Sequence, residues 1–201
     1  MHPMSPRAVL HHQGRKLLLG LVAVAALLAS PGTSAADLLG HGPSLWLGYS
    51  PDEDASGTSQ DLVLSGLGWR WRWDGADCID DFLAKGSIDF SWAVEPMIGG
   101  MFGDAEAFEA SAVPYVHLRP LGWEGVVPWL EFGIGVAYTG LRNYGLGSSF
   151  HFSDNAGFGV AFEGAGRRWS VGYRFRHLSH LGILSEHNDG LNAHFLTLSV
   201  E

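Results

Sequence analysis

One cysteine, Cys78, is all that the 201-residue chain contains, so no intramolecular disulfide can staple it. Charge is sparse as well. Charged residues make up 16% of the sequence, with 12 Lys and Arg against 21 Asp and Glu. That acidic balance argues against a basic nucleic-acid surface, and no nucleic-acid partner is expected. Long apolar runs are also missing: Leu17 to Ala29 falls short of the roughly 20 residues that a spanning helix needs. No helix-period pattern of about ten residues or more appears, and no strand–glycine–helix context exists for a phosphate loop.

What is present begins with a leader. Arg15 and Lys16 precede the apolar run, and Ser30, Pro31, Gly32, Thr33, Ser34, Ala35 and Ala36 follow it. The order basic, apolar, small reads as a secretory signal peptide over residues 1–36 rather than a retained anchor. Its removal takes away Arg7, Arg15 and Lys16 and no acid, moving the formal charge from −9 to about −12. Residues 37–201 then form one domain of roughly 165 residues. An exported domain without a disulfide needs another source of stability, and a closed barrel is one.

Composition favours strands, with 28 glycines and 12% aromatic residues. Eight strand-like segments are predicted, over about 42–50, 61–73, 86–99, 108–119, 126–139, 149–163, 167–179 and 190–200. The breaks carry turn chemistry, as at Asp74-Gly75, Gly103-Asp104 and Gly164-Ala165-Gly166. Trp69, Trp71 and Trp73 alternate with Arg70 and Arg72, and Tyr173 and Phe175 alternate with Arg174 and Arg176. In a soluble sandwich or lipocalin-like barrel the aromatics would form the core. In an outer-membrane barrel they face lipid and the arginines enter a polar lumen, with Glu95, Glu131, Glu163, Asp61 and Asp89 as candidate counter-charges. The expected fold class is all-β, an eight-stranded antiparallel transmembrane β-barrel occupying residues 37–201. Trp69, Trp71, Trp73, Trp129 and Trp169 are expected in its interfacial belt. His151 and His194 are expected at rim or face positions, and Gly133, Gly135, Gly157 and Gly159 where a small barrel is crowded.

The chemistry gathers near the end of the chain. Side chains repeat with period two along a strand, so Val171, Tyr173, Phe175, His177 and Ser179 share a face. In the last segment the row Leu196, Leu198 and Val200 carries back through His194 to Asn192. If these rows face outward, His177, Ser179 and Asn192 look toward lipid near one rim. A serine hydroxyl needs a base within reach and a group to hold that base. Two residues along a strand separate Cβ atoms by roughly 6–7 Å, close enough for an imidazole to bend over the hydroxyl. Taken alone, His-x-Ser is a common pattern, and a rim histidine is the plain alternative.

Four segments carry a resemblance. Pro128 to Tyr138, Ser149 to Gly159, Tyr173 to Ser179 and Asn188 to Asn192, in that order behind a leader, resemble the lipid A 3-O-deacylase family of Gram-negative outer membranes, the PagL-like proteins. Residues 37–120 are similar only in general character. The resemblance implies a barrel in the outer membrane whose serine-hydrolase site, built from His, Ser and Glu, faces the outer leaflet. It implies removal of the 3-position acyl chain of lipid A and release of a hydroxy fatty acid. Carried over, the histidine is His177 and the serine is Ser179. The glutamate position falls on Asn192, allowing one extra residue in the 180–189 loop. The residue after the serine, commonly Asn in the family and linked with its oxyanion hole, is His180 here. Glu186 or Asp189 could act as a substitute acid. His180 and His187 lack a convincing ligand set, so no metal is expected, and the mechanism needs no cofactor. Implied partners are lipid A or lipopolysaccharide and membrane lipids, and the family suggests a homodimer. The alternative function is a catalytically impaired structural or lipopolysaccharide-binding barrel.

Overall fold

Alternation in this chain is two-sided, and closing the sheet sorts its two sides into a lumen and a belt. The computed structural model describes residues 40–51, 61–74, 87–143, 146–181, 183–184 and 190–201; the expected signal peptide lies outside them. The strands are β1 (His41–Ser50), β2 (Leu62–Asp74), β3 (Ile88–Gly103), β4 (Ala107–Pro120), β5 (Val127–Thr139), β6 (Phe150–Gly164), β7 (Arg167–Ser179) and β8 (Leu191–Val200). Each pairs antiparallel with the next, and β8 returns to β1 from Ser44↔Ser199 to Tyr49↔His194. The result is an all-β, eight-stranded antiparallel closed barrel with no free edge.

Strand β3 runs to Gly103, beyond the predicted end at residue 99. The strand runs through Gly99-Gly100 to the turn expected at Gly103-Asp104, and an added Cβ at Gly99 would lie 2.5 Å from the Ser65 carbonyl oxygen. The glycine lets β2 come close, and Leu62↔Gly103 extends the ladder past it.

Large apolar side chains face outward: Ile134 is 70% exposed, Leu196 68% and Ile98 61%. That belt suits a membrane-spanning barrel. The lumen, expected to be polar, is divided. One part is apolar, built from Trp46, Leu62, Leu64, Met97, Met101 and Phe195 among others. The other is ionic. Arg70 Nη2 lies 2.7 Å from Glu95 and 2.9 Å from Glu131, and Arg174 Nη2 lies 2.5 Å from Glu131. Trp46 Nε1 donates to Glu95 at 2.7 Å, and Ser44 Oγ donates to the same oxygen. The Arg174 guanidinium sits 4.0 Å from the Trp46 ring centre and 4.6 Å from that of Tyr115.

Of the anticipated counter-charges, Glu95 and Glu131 enter this cluster, and Asp89 pairs with Arg119 near the opposite rim. Glu163 is exposed and Asp61 accepts from Tyr49 Oη, so neither serves the lumen arginines. Arg176 is matched instead by Glu109, and Arg72 by Glu201 at 2.5 Å. Trp129 is a further correction. Its indole is 5% exposed and turned inward, where Gly159 and Gly172 leave room for it. Trp69 and Trp73 do face outward.

Candidate active site

Topology puts the end of β7 and the start of β8 at one rim, away from the start of β1 and the end of β8. Along β7, Gly172, Arg174, Arg176 and Leu178 are buried inside, while Val171, Tyr173, Phe175 and His177 face out. Register then acts across strands. His177 stands opposite Asn192, Phe175 opposite His194 and Tyr173 opposite Leu196. Ser179 follows on the outward row, opposite Phe152 of β6, and is 5% exposed.

His177 Nδ1 lies 2.7 Å from Asn192 Oδ1. An amide carbonyl can only accept, so Nδ1 holds the proton and Nε2 is left with its lone pair as the basic nitrogen. Asn192 is itself held, because Ser50 Oγ of β1 donates to its main-chain carbonyl at 2.5 Å. The ring leans toward the rim. An added Cβ at Gly190 would meet His177 Cε1 at 2.8 Å and Nε2 at 3.4 Å. Continuing the β7–β8 register past Leu178↔Leu191 sets Gly190 opposite Ser179, so the Nε2 edge lies near the level of the serine. Among the described residues, no hydrogen bond joins His177 to the Ser179 hydroxyl.

His180 is placed differently from the carried-over oxyanion role. It is 1% exposed on the inner side, where Nε2–H donates to the Leu146 carbonyl at 3.0 Å. Its ring lies 5.9 Å from that of His151, which is buried rather than on the outer face. His194 faces outward and shares a 2.6 Å hydrogen bond with Tyr173 Oη. Glu186, Asp189 and His187 lie outside the described residues.

Two residues at the site escaped the sequence reading. Gly190 gave no signal beyond a loop glycine. Asp154 did leave one: it is the single charge in the outward row Phe150, Phe152, Asp154, Ala156 and Phe158 of β6. The arrangement can do base-assisted nucleophilic chemistry on an ester held in the apolar belt, with the imidazole tautomer set by an amide.

The lipid A 3-O-deacylase (PagL) family matches residues 65–201, more than half of the chain. A solved structure described as "Crystal structure of the outer membrane enzyme PagL" is similar at 24% identity, with 80% of this chain and 98% of that chain covered and a TM-score of 0.59. At that identity the likeness concerns the fold. No curated protein matches the chain. Barrel and family together put the protein in the outer membrane of a Gram-negative bacterium. With its family segment spanning β3 to β8 and most of β2, this chain belongs to the lipid A 3-O-deacylase (PagL) family.

Proposed function

We propose that the protein is a serine-type esterase that hydrolyses the 3-position acyl ester of lipid A in the outer leaflet. The supporting observation is the 2.7 Å contact of His177 Nδ1 with Asn192 Oδ1, beside Ser179 on an outward face that is otherwise largely apolar. In this mechanism Ser179 Oγ attacks the ester carbonyl while His177 Nε2 takes its proton. The tetrahedral intermediate collapses, and the leaving sugar hydroxyl receives that proton from His177. Water then attacks the acyl-enzyme with the same base, releasing a hydroxy fatty acid and restoring the serine. Asn192 orients the imidazole in place of a carboxylate, as an amide does in papain-like sites. No cofactor enters these steps. Lipid A, as part of lipopolysaccharide, is the partner, reached from within the surrounding membrane lipid.

A second reading, a barrel that binds lipopolysaccharide without cleaving it, is favoured by one observation: no hydrogen bond joins the imidazole to the Ser179 hydroxyl. Mass spectrometry separates the two. The mature protein, refolded in detergent and incubated with lipid A, is expected to remove one hydroxyacyl chain, and Ser179→Ala to remove none. A folded barrel that leaves lipid A intact would sink the esterase reading, as would equal loss with the alanine variant.

A further inference from the structure

The outward rows of β6, β7 and β8 contain one carboxylate among the described residues, Asp154. It stands in register opposite His177, whose other flank is opposite Asn192. Asp154, His177 and Asn192 therefore form one rung across three strands. Directly opposed residues in an antiparallel pair have Cβ atoms about 4.5–5.5 Å apart. An acidic side chain on a lipid-facing surface is costly, and such residues are a functional hypothesis by default.

The two flanks of His177 differ in chemistry. Asn192 holds Nδ1 and sets the tautomer, but an amide carries no charge to stabilise the imidazolium that forms when the ring takes a proton. Asp154 makes no hydrogen bond or ion pair with another described residue, so no partner there neutralises its charge. It is half-buried, with Phe152 and Ala156 next to it in the outward row and Ile134 of β5 opposite, where water screens a neighbouring charge poorly. We propose that Asp154 supplies through space the negative charge that Asn192 cannot, so the work of one triad carboxylate is divided between β8, which orients His177, and β6, which stabilises its charged form. Asp154 is thus a positioning residue acting through His177. The inference rests on the proposed esterase chemistry and extends it.

Two assays keep the claims apart. One follows lipid A deacylation. The other follows phosphonylation of Ser179 by a lipid-tailed fluorophosphonate, in which Oγ replaces fluoride on phosphorus and His177 takes the hydroxyl proton. Asp154→Asn is expected to slow both by roughly 10- to 100-fold, with KM for lipid A changed little. Asp154→Glu should stay close to the parent. The double variant Asp154→Asn/Asn192→Asp, which moves the charge to the other side of the ring, should recover most of the loss. An unchanged rate in Asp154→Asn overturns the proposal. So does a loss that neither the glutamate nor the relocated charge repairs, because that pattern marks a structural role. If Ser179 is labelled but lipid A stays intact, the substrate reading falls and the labelling rates alone decide the role of Asp154. Failure to label Ser179 in the folded parent protein overturns both.

Discussion

Gly190 shows how a residue with no side chain can decide the placement of one proposed as a catalytic base. Its φ of +76° lies in the left-handed region, and the His177 ring occupies the space where a Cβ would project, 2.8 Å from Cε1. Alanine there is strained by its backbone, at a cost of about 1 kcal/mol, and also meets the imidazole edge. Since Nδ1 is held by Asn192, the ring would have to swing away from the rim and from the level of Ser179. Displacement of a catalytic group by about 1 Å can cost on the order of 100-fold in rate. Gly190→Ala is therefore expected to lower kcat by roughly that factor while the barrel still forms. Turnover beside heat-modifiable gel mobility measures both, and parent-like kcat would remove the steric argument.

At the scale of the strands, β5, β6 and β7 are brought together by one inward tryptophan. Trp129 is opposite Gly159, and Gly159 is opposite Gly172. Added Cβ atoms would lie 2.5 Å from Trp129 Cζ2 at Gly159 and 2.4 Å from Cη2 at Gly172. The indole lies 5.6 Å from the His117 ring of β4, tilted by 31°, so four neighbouring strands meet at this ring. Gly172→Val would overpack a site that cannot expand without parting the ladder. Such insertions cost about 1–3 kcal/mol. A lower urea midpoint for unfolding from detergent micelles is the expected outcome. Because Ser179 is at the other end of β7, the fraction that folds should still react with a fluorophosphonate at the parent rate. The segments themselves were legible in the sequence: all eight strands lie within a few residues of their expected positions, and the outward parity of β7 agrees with its alternation. Their ends were less legible, as β3 shows, because alternation carries no stop of its own and the pairing of Leu62 with Gly103 decides how far the strand runs.

For the whole molecule, the ionic cluster is what lets so small a barrel close around charge. Arg70 and Arg174 converge on Glu95 and Glu131, with side chains 7% and 2% exposed against 0% for both acids. Two positive and two negative charges balance inside, and the belt carries apolar groups outside. Removing one acid leaves the pair of guanidiniums undercompensated. Breaking a buried pair from one side typically costs about 3–5 kcal/mol, whereas replacing both partners by apolar groups costs far less. Glu131→Leu is thus expected to be strongly destabilised in detergent. The double variant Arg70→Leu/Glu131→Leu should be measurably more stable than Glu131→Leu alone. Equilibrium urea unfolding checks the order, and a double variant no better than the single one would show that packing, not charge balance, governs the lumen.

By itself the sequence determined what depends on near neighbours along the chain. Period-two alternation set the strands and the face that His177 shares with Ser179, and turn residues set the breaks between strands. The candidate base, nucleophile and Asn192 were legible at that level, supported by family resemblance. Tertiary structure alone decided which residues meet across strands. It chose Glu109 for Arg176, turned Trp129 and His180 inward, and set Asp154 and Asn192 on either side of His177. The physical reason is that alternation specifies only a face. Register and closure specify a neighbour, and both arise from hydrogen bonding between segments far apart in the chain.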